Sequence, residues 1–161
     1  MVKHGLMKYV RHVHIVHSDL YDPPNFLKKD HPRLKFVPHS KIFAGVPGNP
    51  LPTQSRNAID SRLHHIPGLS DWFLRLGDDF FLLQEVEPTD FFRDGKMVVH
   101  GQHIRCSPTH DGGYTHAMSN SACLLAKKFG EQPRYYQDHW PTMAFRPAVS
   151  EMDGWMDGLI D

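Results

Sequence analysis

The stretch from Ser55 to Asp79 constrains this chain more than any other. It reads as a helix, a hard stop, and a strand that ends in two carboxylates. In SRNAIDSRLHHIPG, Ser55 is suited to cap the first turn, and Pro67-Gly68 cannot continue the helix. Ile59, Leu63 and Ile66 fall at i, i+4 and i+7 and so form one apolar stripe. Asn57, Asp60 and His64 recur on the opposite side, so a helix docked by its aliphatic stripe presents an amide, a carboxylate and an imidazole together. WFLRL, Trp72 to Leu76, then reads as a strand, followed by Gly77, Asp78 and Asp79. Adjacent carboxylates are costly if buried without partners. At the carboxyl end of a strand in an open α/β sheet they stand where ligands bind. There they can hold a hard divalent cation that neutralises phosphate oxygens. The same residues also suit a plain Gly-Asp-Asp turn between hairpin strands.

The rest of the chain extends an α/β alternation. His12 to Val16 and Leu34 to Pro38 are strand candidates, and Pro23-Pro24 separates them. Ala44 to Pro52 carries three prolines and two glycines and reads as loop. Asp94-Gly95 marks a turn before the short strand KMVVH. Met118, Ala122, Leu125 and Phe129 repeat at helical spacing, predicting a helix over Ala117 to Phe129 with Gly130 as its stop. The tail from Glu131 carries EQPRYYQDHWP and ends in glycines and acids. Strands interleaved with helices favour an α/β layout with a mainly parallel sheet flanked by helices.

Composition narrows the chemistry. The 161 residues hold 18 basic and 18 acidic side chains, so no global positive field recruits nucleic acid or an anionic membrane. No window approaches the apolar length of a membrane helix. Two cysteines, Cys106 and Cys123, can form one bridge, although their spacing does not demand it. The thirteen histidines invite a metal reading. However, His12, His14 and His17 lack metal-ligand spacing, and there is no HExxH. GxSxG, Walker and GxGxxG motifs are also absent, which removes the usual support for serine hydrolases, P-loop enzymes and common dinucleotide binders. In PRYYQDHWP, Arg134 can clamp a phosphate and His139 can move a proton near neutral pH. On these grounds only His64 and His139 have a chemical case among the histidines, and neither case is zinc.

LPTQSRNAIDSRLHHIPGLSDWFLRLGDDFFLLQEVEPTDFF resembles the second conserved region of the Stealth family of sugar-phosphate transferases. The match runs through Leu51, Pro52, Thr53, Asn57, Ala58, Ile59, His64, Ile66, Gly68, Leu69, Ser70, Asp78 and Asp79. MSNSACLLAKKFGEQPRYYQDHWP is similar to the third conserved region, through Asn120, Phe129, Gly130, Arg134, His139 and Pro141. YVRHVHIVHSDLYDPPNFL resembles the approach to the second region. Asp60 stands where the family usually has glutamate, Gly77 where it has asparagine, and His65 where arginine is common.

The resemblance implies a partial nucleotide-sugar-transferase-like, Rossmann-like domain. Residues 1–105 form its second-region α/β segment and residues 106–161 its third-region helical segment and tail, together one structural unit. The expected reaction moves a hexose-1-phosphate, such as N-acetylglucosamine-1-phosphate, from a nucleotide sugar to a sugar hydroxyl of a glycan. In it, Asp78 and Asp79 hold magnesium or manganese, or one of them accepts the acceptor's proton. His139 acts as general base or phosphate contact, and Arg134 orients a phosphate. Asn57, Asp60, His64 and Asn120 line the substrate. The family's first and fourth conserved regions are not found here, so the expectation is the centre of a larger catalytic domain. The rival expectation is a non-catalytic remnant that only binds. A third is a glycosyltransferase that moves the sugar without phosphate. Eukaryotic relatives lie in the Golgi membrane and bacterial ones serve capsule synthesis, and the sequence assigns neither setting to this chain.

Overall fold

A computed structural model describes residues 5–77, 80–98, 101–103, 106, 113–130, 134–136 and 141–157. The chain divides into two units. The first comprises Met1–Phe73, Leu82–Glu87 and Ala144–Asp161, and the second Leu74–Phe81 and Pro88–Met143.

The first unit is built on a parallel pair, β1 (Val13–His17) and β2 (Leu34–Pro38), in register Val13 to Leu34 through His17 to Pro38. Parallel strands need a connection of a dozen or more residues, and that connection is usually a helix. Here residues 18–33 serve without one. Pro23, Pro24 and Pro32 remove three backbone donors, and the segment advances by tight turns, Leu27 N to Pro24 O at 3.1 Å and His31 N to Lys28 O at 3.0 Å. Its end is tied down by Arg33. The guanidinium donates to the carbonyl of Met7 at 2.6 Å, to that of Arg11 at 3.3 Å, and to that of Val10.

Directly after β2, α1 (His39–Ile42) turns the chain inward. Val37, Ile42, Phe43 and Ile66 form the buried core, and Val16, Leu51, Ile59, Leu63 and Leu69 pack around them. The aliphatic stripe read from the sequence is thus the docking face. The helix carrying it is shorter than its periodicity suggests. Ser55 caps α2 (Arg56–Ser61) by accepting from Ala58 N at 3.3 Å. At Arg62 the backbone leaves helical geometry (φ −105°, ψ 0°), and Leu63–His65 forms a tighter 3-10 turn. Gly68, at φ +72°, then reverses the chain in a left-handed conformation that disfavours a Cβ. Because the last turn is tightened, His64 does not continue the polar stripe of Asn57 and Asp60; it points inward.

β3 (Trp72–Arg75) pairs with β8 (Thr142–Phe145). Within the first unit Trp72 stacks on Phe145 at 4.6 Å between ring centroids, and the Asp71 carbonyl accepts from Arg146 N at 2.7 Å. α4 (Arg146–Asp157) follows, an element the sequence reading did not anticipate. Pro147 lies in its first turn, where a missing N–H costs nothing, and Ala148, Val149, Met152, Trp155 and Met156 recur at helical spacing, a stripe the sequence reading passed over.

In the second unit, β4 (Phe92–Arg93) and β5 (Lys96–Met97) form a hairpin around Asp94 and Gly95, both at positive φ (52° and 72°), as a primed two-residue turn requires. β6 (Gly101–His103) pairs antiparallel with β7 (Arg134–Tyr136). α3 runs Gly113–Phe129, four residues longer at its start than the apolar repeat predicts. Ala122 and Ser119 are buried in it, whereas Phe129, assigned to the apolar stripe from spacing, is 63% exposed. A disulfide joins Cys106 to Cys123 on α3, closing the pairing that the sequence left open.

Both units are mixed α/β. Among the described residues the strands form four two-stranded sheets, of which β1–β2 is parallel. Of the mainly parallel sheet expected from the sequence, the described residues contain this one parallel pair. The strands are two to five residues long, and β1 and β2 are joined by a proline-broken loop instead of a covering helix.

Candidate functional site

Three of the residues singled out by sequence lie together in the first unit, on α2 and its terminal turn. Asn57 is exposed on α2, and Asp60 is part-buried with Arg56 3.7 Å away across one helical turn. His64 is set apart, its side chain only 3% exposed. The tightened turn aims its Nε2 at a carboxylate that comes from far along the chain. Oδ2 of Asp153, on α4, lies 3.3 Å from His64 Nε2, 3.6 Å from His65 Nε2 and 2.6 Å from Arg62 Nη1. The two imidazoles sit 4.0 Å apart between centroids, and Arg62 Nη1 lies 3.4 Å from His65 Nε2. One carboxylate thereby gathers three nitrogen-bearing side chains from a single turn.

The electrostatics of this group are dominated by burial. Desolvation holds the His64 pKa below 6.5, and the neighbouring His65 lowers it further. Asp153 and the Ser61 carbonyl oppose the shift without reversing it. His14 and His39 are lowered for the same leading reason. A histidine whose folded pKa lies below its unfolded value binds fewer protons when folded, so stability falls as pH drops through the unfolded pKa and the loss is complete below the folded one. All three histidines share this sign. Urea midpoints measured at about pH 7.5 and about pH 5.5 are therefore expected to be lower at the acid end. A midpoint unchanged across that window would contradict the burial of these rings.

A second polar feature lies at the carboxyl ends of β1 and β2, the edge where open α/β sheets take ligands. Asp19 accepts from Ser40 N at 2.9 Å and from the Ser40 hydroxyl, and that hydroxyl is the main reason its carboxyl titrates below 3.8. Beside them lies an open cavity of about 520 Å³, walled by Phe43, Val46 and Leu51 as well as by Asp19, Asn49 and the buried His39.

The remaining sequence candidates fall elsewhere. Asn120 is exposed on α3 of the second unit. Arg134 lies in β7, where the described structure is the backbone. Asp78, Asp79 and His139 lie outside the described residues. Sequence reasoning missed Arg62 and Asp153. Arg62 sits at the helix break, which periodicity does not reveal, and Asp153 gives no local signal because its partners are contiguous only in space. Asp19 and Ser40 were missed for the same reason.

Comparisons with known proteins agree on one family. Residues 3–100 match the family model described as Stealth protein CR2, conserved region 2. Two exopolysaccharide phosphotransferases of Streptomyces coelicolor are 39% and 37% identical to this chain. They align with 90% and 76% of it, and with 25% and 20% of their own lengths. The capsular polysaccharide phosphotransferase SacB of Neisseria meningitidis serogroup A is 29% identical, over 90% of this chain and 27% of its own. The chain thus spans about a quarter of the length of these curated relatives. Among the described residues no helix is long and apolar enough to cross a membrane. With more than half of its residues inside the conserved-region model and relatives aligned well beyond it, the chain belongs to the Stealth family.

Proposed function

We propose that this chain supplies the central part of a sugar-phosphate transferase that moves a hexose-1-phosphate from a nucleotide sugar to a hydroxyl of a glycan or capsule-type polysaccharide. The observation that carries this reading is the match of residues 3–100 to the second conserved region, supported by relatives named as polysaccharide phosphotransferases. The parallel pair β1–β2 is read as part of a Rossmann-like, nucleotide-sugar-transferase-like sheet.

The acceptor oxygen attacks the sugar-side phosphorus, the bond from that phosphorus to the bridging oxygen breaks, and nucleoside monophosphate leaves. The hydroxyl proton passes to a base, for which His139 is the first candidate and Asp79 the second. Such transfers depend chiefly on positioning and on neutralising charge that spreads over the phosphate oxygens. Adjacent carboxylates are the hard oxygen donors that magnesium and manganese take, so Asp78 and Asp79 are the pair to hold such an ion. When bound, it supplies positive charge to the phosphate oxygens. Arg134 would orient a phosphate through its planar donor fork. Asn57, exposed on α2, the part-buried Asp60 one turn on, and Asn120 on α3 would bind sugar hydroxyls. His64 would act from beneath Asn57 and Asp60 by fixing the turn that follows them.

Calorimetric titration of UDP-N-acetylglucosamine into the protein, with and without manganese, tests the binding half of this reading. Heat that requires manganese is the expected result. Its absence would favour a remnant that has lost the donor site, a reading to which aspartate at position 60 and glycine at position 77 already lend weight.

A further inference from the structure

Beyond fixing the turn that follows Asn57 and Asp60, the meeting of His64, His65 and Asp153 has a geometry of its own. One donor atom from each of the three lies within 4.8 Å of the other two. Bonds of 2.0–2.1 Å at tetrahedral angles place neighbouring donor atoms roughly 3.3–3.4 Å apart. The His64 and His65 nitrogens stand 3.3 and 3.6 Å from Oδ2, at or just beyond that spacing. We infer that His64, His65 and Asp153 form a binding site for a divalent transition metal of the zinc class, which staples α4 to the turn after α2.

The surroundings suit such an ion. His64 Nδ1 is buried, makes no hydrogen bond of good geometry, and has the Ser61 carbonyl as the polar group that favours a proton on the ring. With Nε2 unprotonated, a cation between it and Oδ2 would be met by a lone pair from each. A backbone carbonyl behind a ligating histidine is also the usual outer partner that fixes its tautomer. Arg62 donates to Asp153 Oδ2 at 2.6 Å, the hydrogen bond that a ligating carboxylate commonly keeps. Its positive charge counts against the ion, so the affinity rests on the two imidazoles. Imidazole nitrogens select zinc, cobalt, nickel and copper over magnesium, which takes oxygen donors. This site is therefore distinct in chemistry from the Asp78–Asp79 pair. His65 is 44% exposed, which leaves a solvent side for water to complete the coordination.

Cobalt(II) titration of the purified chain, followed by visible absorption, tests the assignment without any activity assay. One equivalent is expected to bind with the intense bands of a four-coordinate site, zinc is expected to displace it, and magnesium is not. His65→Ala, at a half-exposed position, is expected to weaken binding on the order of tenfold or more and to erase the bands. Asp153→Asn should do the same. Three results would each overturn the site: no stoichiometric uptake by the unmodified chain, equal displacement by magnesium, or uptake unchanged in His65→Ala. The last would assign the metal to other histidines among the thirteen.

Discussion

Asp79→Asn, made in a complete Stealth catalytic domain carrying this segment, is expected to lower sugar-phosphate transfer by on the order of 10²–10³-fold. The substitution keeps the size and shape of the side chain and removes its charge. In phosphoryl transfer the protein's work is to hold the reactants in line and to offset negative charge that grows on the phosphate oxygens. A carboxylate that holds a cation contributes most where that charge is greatest, in the transition state. The loss should therefore fall on kcat more than on KM. His139→Ala should cost a comparable factor, since a positioned general base contributes on the order of 10²–10⁴-fold. It should also flatten the limb of the pH–rate profile near neutrality. Wild-type turnover in Asp79→Asn would remove that residue from the mechanism.

The second large effect concerns stability. Ile42→Ala is expected to destabilise the first unit by about 2–5 kcal/mol. Ile42 is completely buried, at the centre of the cluster with Val37, Phe43 and Ile66. Truncation removes three methyl or methylene carbons from a site that α1, only four residues long, is poorly placed to refill by shifting. Domains of this size are held by only about 5–15 kcal/mol, so a loss of this order takes a large share of the total. Leu83→Ala serves as the control. Leu83 is 88% exposed, and its truncation should stay within about 0.5 kcal/mol. Urea denaturation of the two variants measures both values. A loss at position 42 no greater than at position 83 would contradict the core described here.

Much of the first unit was legible in the sequence because its signals are local. Leu34–Pro38 is a short apolar run closed by proline, Ser55 is a cap with its partner three residues on, and Pro67-Gly68 stops a helix wherever it occurs. Asp94-Gly95 specified its hairpin for the same reason. What failed depended on contacts between distant residues. Periodicity carried one helix through to Ile66, but the backbone breaks at Arg62 and turns His64 inward, toward Asp153. No window around Asp153 announces that partnership. α4 was missed although Ala148, Val149, Met152, Trp155 and Met156 repeat at helical spacing, because Gly154 and the acidic residues among them read as a tail. Alternation of elements pointed to a mainly parallel sheet, of which the described residues show one parallel pair, but alternation does not fix which strands pair. In the structure β3 pairs with β8, which follows it by nearly seventy residues. Of the candidate site, Asn57 and Asp60 share one helix as read; the chemistry proposed for Asp78 and Asp79 rests on the match over residues 3–100, and that proposed for His139 on the resemblance of the later segment to the third conserved region.

The most direct test of the central claim is analysis of the product formed by a complete catalytic domain carrying this segment, supplied with UDP-N-acetylglucosamine, a saccharide acceptor and manganese. A phosphodiester between the two sugars, seen by phosphorus NMR together with release of uridine monophosphate, is the result predicted by sugar-phosphate transfer. A product with a plain glycosidic bond and release of uridine diphosphate would contradict it.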